Sequence, residues 1–341
     1  MVDPTGAALD PAAPGADGRV RLRAGAVSLT VAVILLVAKY QAYLLTGSTA
    51  VLSDALESIV NVVAALFALG GIAFAGRPAD RNHPYGHGKI EFISAAFEGG
   101  LIAFAAVIIL WEVGRSLLNP VEIRDLDRGA VIVLAAGLVN LALGWFLVRT
   151  GRRYRSLTLT ADGQHVLADF WTSAGVVAGL MAVRLTGIWW LDPLVAGVVA
   201  LNLLRTGYRL VRHSTGGLLD EEDPELLARL LGVLRRHVGQ GVIRFHHLRA
   251  IRSGRYHHVD AHLVVPEFWS VDQAHELAEE LSAQVIQELG VEGELAIHTD
   301  PCHRAYCAMC DLEDCMVRRE PFHERPALTM EEAVRPDMPR A

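Results

Sequence analysis

Cysteine is scarce, with 4 residues in 341, and none precedes Cys302. A disulfide-stapled scaffold needs cysteines that are dense and spread along the chain, so that class is excluded. Charged residues make up only 20% and aromatic residues 7%, and the net charge is −7. Without a basic surplus the chain is not a general nucleic-acid binder. The 31 glycines and 14 prolines follow no repeat, which excludes collagen and low-complexity chains.

What the chain has instead is long apolar runs. It is 52% hydrophobic with a mean hydropathy of +0.31. Six stretches, roughly 25–46, 50–75, 92–118, 129–149, 158–184 and 188–211, reach the ~20 residues that span a ~30 Å hydrocarbon core at 1.5 Å per residue. Nothing comparable follows Arg212. The expected fold is therefore a membrane all-α six-helix bundle over 23–212, preceded by a loose tail, 1–22. The first run is too long for a cleavable signal, and five more follow it.

Basic residues set the orientation, because Lys and Arg stay preferentially in the cytoplasm. One side holds Arg19, Arg21, Arg23, Arg77, Arg81, Lys89, Arg149, Arg152, Arg153, Arg155, Arg205, Arg209 and Arg212. The other holds only Arg115, Arg124, Arg128 and Arg184. Both termini are thus expected in the cytoplasm of a multi-pass, bacterial-type inner-membrane protein. The cysteines then sit in a reducing compartment.

Residues 213–301 read as a cytoplasmic α+β domain. Pro224 opens a helical stretch with 3.6-residue apolar spacing. Two alternating runs flank Ser253-Gly254 as a hairpin would. A second amphipathic helix ends at Gly290, and ELAIHTDP is a third strand. The order α-β-β-α-β describes a small metallochaperone-like domain. A Cys-rich segment, 302–319, follows, and residues 320–341 lack periodicity and read as a disordered tail.

Ionisable residues inside a spanning run cost several kcal/mol, so they mark functional pathways. The second run carries Asp54, Glu57 and Asn61; the fifth carries Asp162, His165 and Asp169. Offsets of 3, 4 and 7 place each set on one helical face. Opposed, these faces offer Glu57, Asn61, His165 and Asp169 as four ligands for a divalent ion, with Asp54 and Asp162 one turn away as supporting groups. The loop after the second run, RPADRNHPYGHGK, adds Asp80, His83 and His87, three potential metal ligands within eight residues.

On these residues the chain resembles the cation diffusion facilitator family of divalent-metal/proton antiporters, from about residue 23 to 302. His165 and Asp169 match the family's fifth-helix ligands in full. Glu57 and Asn61 stand where Asp or His followed by Asp is usual, which leaves Zn²⁺, Fe²⁺, Mn²⁺ and Co²⁺ open. The resemblance implies a loop metal site at Asp80, His83 and His87, and an interdomain ion pair between Lys89 and Asp220. It further implies a cytoplasmic-domain metal site at His246, His262, His275, His298 and Asp300, and a homodimer. The function it implies is efflux of a divalent cation, zinc first among them, in exchange for protons.

Two rivals are weighed from motifs. A metallohydrolase would carry HExxH, but after His275-Glu276 the second His is replaced by Glu279. No GxxxxGK[ST] is present to drive a pump with a nucleotide. A membrane-anchored metal sensor or scaffold that binds without transporting is the remaining alternative. Beyond the family pattern, Cys302, Cys307, Cys310 and Cys315 are spaced C-x4-C-x2-C-x4-C, a candidate thiolate site for zinc, or for an iron–sulfur cluster as the weaker reading.

Overall fold

The computed structural model describes residues 16–46, 49–118, 127–188, 190–239 and 241–336; the side chains of 45–57 and 127–134, among others, lie outside the description. The chain divides into two units, Met1–Leu218 and Leu219–Ala341.

The first unit consists of α1 (Ala16–Thr46), α2 (Thr49–Ala75), α3 (Ile90–Leu118), α4 (Asp127–Arg153), α5 (Leu157–Thr186) and α6 (Leu191–Leu218). Among the described residues, windows in α1, α2, α3 and α6 are long and apolar enough to cross a membrane. The polarity is inverted relative to a water-soluble bundle. Ile34, Leu66, Phe104, Trp111, Trp145 and Leu201 are exposed, while Arg21, Glu91, Glu98, Asn140, Asp162 and His165 are buried. Lipid is the solvent that makes such an exterior favourable.

Without a hydrophobic drive between helices in lipid, close approach depends on small residues. A Cβ on Gly207 of α6 would meet the Gly99 carbonyl of α3 at 2.7 Å, and one on Gly163 of α5 would meet the Val148 nitrogen of α4 at 2.7 Å. Polar ties complete the bundle. Arg21 Nη1 on α1 donates to Glu91 Oε1 on α3 at 2.8 Å, with both side chains buried. The other Glu91 oxygen accepts from Ser156 Oγ, just before α5, at 2.9 Å.

Two expected boundaries are corrected. Helix α1 starts at Ala16, so 16–22 are not a loose tail; the buried Arg21–Glu91 pair anchors them. Helix α6 runs to Leu218 rather than ending near 212, because Ser214 and Gly216 are still buried and Gly217 lies against the Phe92 ring.

The second unit contains α7 (Pro224–His237), β1 (Arg244–Ser253), β2 (Tyr256–Val265), α8 (Val271–Leu289), β3 (Glu292–Pro301), a 3-10 turn (Arg304–Met309) and α9 (Met330–Val334). The expected α-β-β-α-β order forms. Asp223 caps α7 ahead of Pro224; α8 opens on a Ser270/Gln273 capping box and closes on Gly290 at φ 61. The sheet order is β1-β2-β3, antiparallel at β1–β2 and parallel at β2–β3, with α8 as the crossover. Leu230, Leu234, Phe245, Leu263 and Val285 form its core.

The expectation of a disordered 320–341 fails for its described part. Leu328 is 2% exposed and belongs to the core, and α9 packs on β1. Arg244 donates to the Pro326 carbonyl at 2.7 Å and to Glu332 at 2.6 Å, and Arg235 donates to the Leu328 carbonyl at 2.7 Å. Arginines from the folded domain hold this segment by its backbone, so it needs no apolar period of its own. Leu328→Ala should cost about 2–5 kcal/mol. Limited proteolysis of the full-length protein should then show faster cutting within 320–336; an unchanged pattern would remove the tail from the core.

Candidate metal centre

Helices α2 and α5 bring three of the four expected intramembrane ligands together. Asn61 Nδ2 donates to Asp169 Oδ2 at 2.5 Å, and Asn61 Oδ1 lies 3.3 Å from His165 Nε2. One turn separates His165 from Asp169 on α5, so both face α2. Asp54 and Glu57 stand on α2, but their side chains lie outside the described residues. Asp162 is 1% exposed and lines a cavity of about 20 Å³ with Asn61 and Asp169. That is room for one water-sized body.

Three residues near this site escaped the sequence reading. Lys39 of α1 and Asn140 of α4 line the same cavity. Glu98 of α3 is fully buried, its Oε2 lies 3.9 Å from His165 Nδ1, and neither carboxylate oxygen has a hydrogen-bond partner among the described residues. Lys39 and Glu98 each interrupt an apolar run, the same signal that marked Glu57 and Asp169.

The loop between α2 and α3 assembles the second expected site. Asp80 Oδ1 lies 3.2 Å from His83 Nδ1, and His87 Nε2 lies 3.1 Å from His83 Nδ1 and 3.4 Å from Asp80 Oδ2. In the Nδ1–H tautomer, His87 donates to the Pro78 carbonyl at 3.1 Å, turning Nε2 toward the other two ligands. The His83 and Asn82 backbone N–H groups donate to Asp80 and hold its carboxyl below the ordinary range. The separations match the ~3.3 Å edge of a tetrahedron with 2.0–2.1 Å metal–ligand bonds.

The sheet builds the third. His246, His262 and His298 occupy laterally paired positions on β1, β2 and β3. His246 Nε2 and His262 Nδ1 approach Asp300 Oδ2 at 3.0 and 2.9 Å, and His298 Nε2 lies 3.4 Å from Asp300 Oδ1. Burial works to raise the Asp300 carboxyl, but the hydrogen bonds from His262 and His246 outweigh it and hold it low. His247, unassigned from the sequence, joins as well, with Nδ1 3.1 Å from His262 Nε2. A bulge after His246, with His247 at φ 50, turns two consecutive histidines toward one cluster, which alternation along a regular strand forbids. His275, expected here, is exposed on α8 and stays outside the set of ligand atoms within 4.8 Å. Among the described residues that set is His246, His262 and Asp300, and the loop triad is its counterpart. The four cysteines, all free, line a separate cavity beside the end of β3.

Residues 26–219 match the family described as the cation efflux transmembrane domain, and 223–302 the cation efflux protein cytoplasmic domain. The chain is 36% identical over 264 residues to an uncharacterized transporter of Synechocystis sp., covering 77% of this chain and 84% of the relative. It is 28% identical to the cation-efflux pump FieF of Shewanella oneidensis, covering 82% and 93%. It is 29% identical to metal tolerance protein C1 of Arabidopsis thaliana, covering 84% of this chain and 63% of that protein.

Burial pushes the imidazoles of His246 and His247 below the ordinary histidine value, against the Asp300 hydrogen bond at His246 and with help from Arg249 at His247. Unfolded histidines titrate near ~6.5, so below that pH the unfolded chain binds more protons and the stability of the second unit falls. Hydrogen exchange in β1 and β2, corrected for intrinsic rate, should show more frequent opening as the metal-free protein is taken from about pH 7.5 to about 5.5. A flat profile would mean these histidines take up protons equally in the folded and unfolded states.

Proposed function

The chain belongs to the cation diffusion facilitator family, a transporter family rather than an enzyme family, and from that premise we propose that it exports a divalent metal cation in exchange for protons by alternating access. The observation that carries this reading is the Asn61 amide set between His165 and Asp169 inside an apolar bundle. Adding Glu57 by its spacing makes two carboxylates, one imidazole and one amide oxygen. Two carboxylates neutralise a divalent charge, and the mixed donors suit zinc first, with Fe²⁺, Mn²⁺ and Co²⁺ accepted by the same set.

Protons compete with metal for these donors, because imidazole and carboxylate bind metal only when deprotonated. On the cytoplasmic side the deprotonated site loads metal; facing outward, protonation weakens it and the ion leaves. The basic-residue asymmetry supports an inner-membrane protein with both termini cytoplasmic. The second unit supports a homodimer, in which the loop triad and the His246/His262/Asp300 cluster take up cytoplasmic metal. Binding there shifts the conformational equilibrium by the difference in affinity between the two states.

A sensor that binds without transporting would also use the two extramembrane clusters, so flux is the deciding measurement. In reconstituted vesicles Asp169→Ala should lower metal-driven flux by more than the ~10–100-fold that loss of an outer-shell partner costs, with the variant still monodisperse. Dissipating the pH gradient should slow the wild-type protein. Unchanged flux in the variant would reject the assignment, and flux indifferent to the gradient would reject antiport.

A further inference from the structure

The segment between β3 and the docked tail has little to order it. Over residues 302–318 the regular structure is one 3-10 turn, and the apolar support is Ile243, Val264 and Tyr306 with partly buried Cys302, Met309 and Cys310. Irregular stretches of this length are uncommon in compact domains unless they serve a function. Yet the path is well defined. The Cys302 N–H donates to the Val265 carbonyl at 2.8 Å, and the Cys302 sulfur takes a backbone hydrogen bond from Glu267. Arg318 donates to the carbonyls of Cys307 and Cys310 at 3.3 and 3.1 Å, and also bonds the Leu312 carbonyl. The backbone is thereby wrapped around a cavity of about 150 Å³ lined by Cys302, Cys307, Cys310 and Cys315; no three of these sulfurs lie as close together as the ligand atoms of the His/Asp clusters, so ligation would draw them inward.

We propose that Cys302, Cys307, Cys310 and Cys315 are the four thiolate ligands of one soft-metal centre that staples the end of the second unit. Four thiolates complete the closed coordination shell of a structural site, leaving no position for substrate. The donor set is soft, unlike the imidazole and carboxylate donors of the other clusters, so it selects a zinc ion or an iron–sulfur cluster over the harder divalent ions. Each thiol gives up its proton on ligation, so capture of one divalent ion by four thiols releases four protons and leaves a centre of charge −2. The first three cysteines, C-x4-C-x2-C, also have the spacing of plant-type two-iron clusters. For a chain that must order a long irregular segment, metal-binding energy is folding energy. The staple would also fix the start of the path to Leu328 and α9. This inference does not depend on the transport reading.

The test uses full-length protein purified anaerobically in detergent and exhaustively treated with EDTA. Metal should be retained in stoichiometric amount, either as zinc without visible absorption or as iron with acid-labile sulfide and visible charge-transfer bands. Titration of the wild-type protein with an organomercurial should release that metal in step with thiol modification, and cutting within 302–330 by protease should accelerate. The His262→Ala/Asp300→Ala variant should keep this metal, and the Cys307→Ser/Cys310→Ser variant should lose it. Four thiols that react at once with a disulfide reagent and release no metal would overturn the proposal. So would disulfides between them, or metal that disappears with His262 and Asp300 rather than with the cysteines.

Discussion

A carboxylate among apolar helices is tolerable only where another protein group or a bound cation meets its charge. The first unit carries Glu91, Glu98, Asp162 and Asp169 under that constraint, and they divide into two kinds. Glu91 is met by Arg21 and Ser156, a permanent arrangement that ties α1 to α3 and the start of α5. Glu98, Asp162 and Asp169 gather around His165 and Asn61, where Lys39 is the fixed cation lining the cavity. The first kind pins helices; the second presents negative charge that a transported cation can answer. One rule of solvation therefore accounts for the stiffness of the bundle and for the place of its exchangeable charge.

Outside the bundle, the two clusters of His and Asp owe their geometry to different devices. The loop triad is local, formed within eight residues and shaped by backbone donors to Asp80 and a carbonyl acceptor for His87. The sheet cluster is non-local. Its histidines meet because three strands pair in register, and Asp300 ties two of them together at the end of β3. Both reach donor separations close to a tetrahedral edge. The cysteine cavity differs in chemistry, its four thiols being softer donors than imidazole or carboxylate.

Much of this was legible in the chain. The pairing of Asn61 with His165 and Asp169 followed from spacing on two helices, since offsets of four residues align on one face whatever surrounds them. The order α-β-β-α-β followed from a change of period and from Pro224, Ser253-Gly254 and Gly290 as punctuation. Glu98 and Lys39 carry the same signal as the predicted ligands, but neither has a carboxylate or imidazole partner one turn away in its run. His247 had no signal, since only a bulge with a left-handed residue lets it share a face with His246. The docked tail had none either, because Arg244 and Arg235 hold it through carbonyl groups that every sequence possesses.

By itself the sequence determined that the chain enters lipid, the order of its helices and strands, and most of the side chains that offer themselves to a metal. Hydropathy, period and capping are properties of neighbouring residues, so a linear reading reaches them. Only the tertiary structure decided which carboxylate is pinned and which is available, that His275 stands apart while His247 joins, and that the last described residues belong to a core. Those outcomes depend on how closely α3 and α6 approach at Gly99 and Gly207, and on the register of β1 against β2. Such distances are set by packing between segments far apart in the chain, where local preference has no purchase.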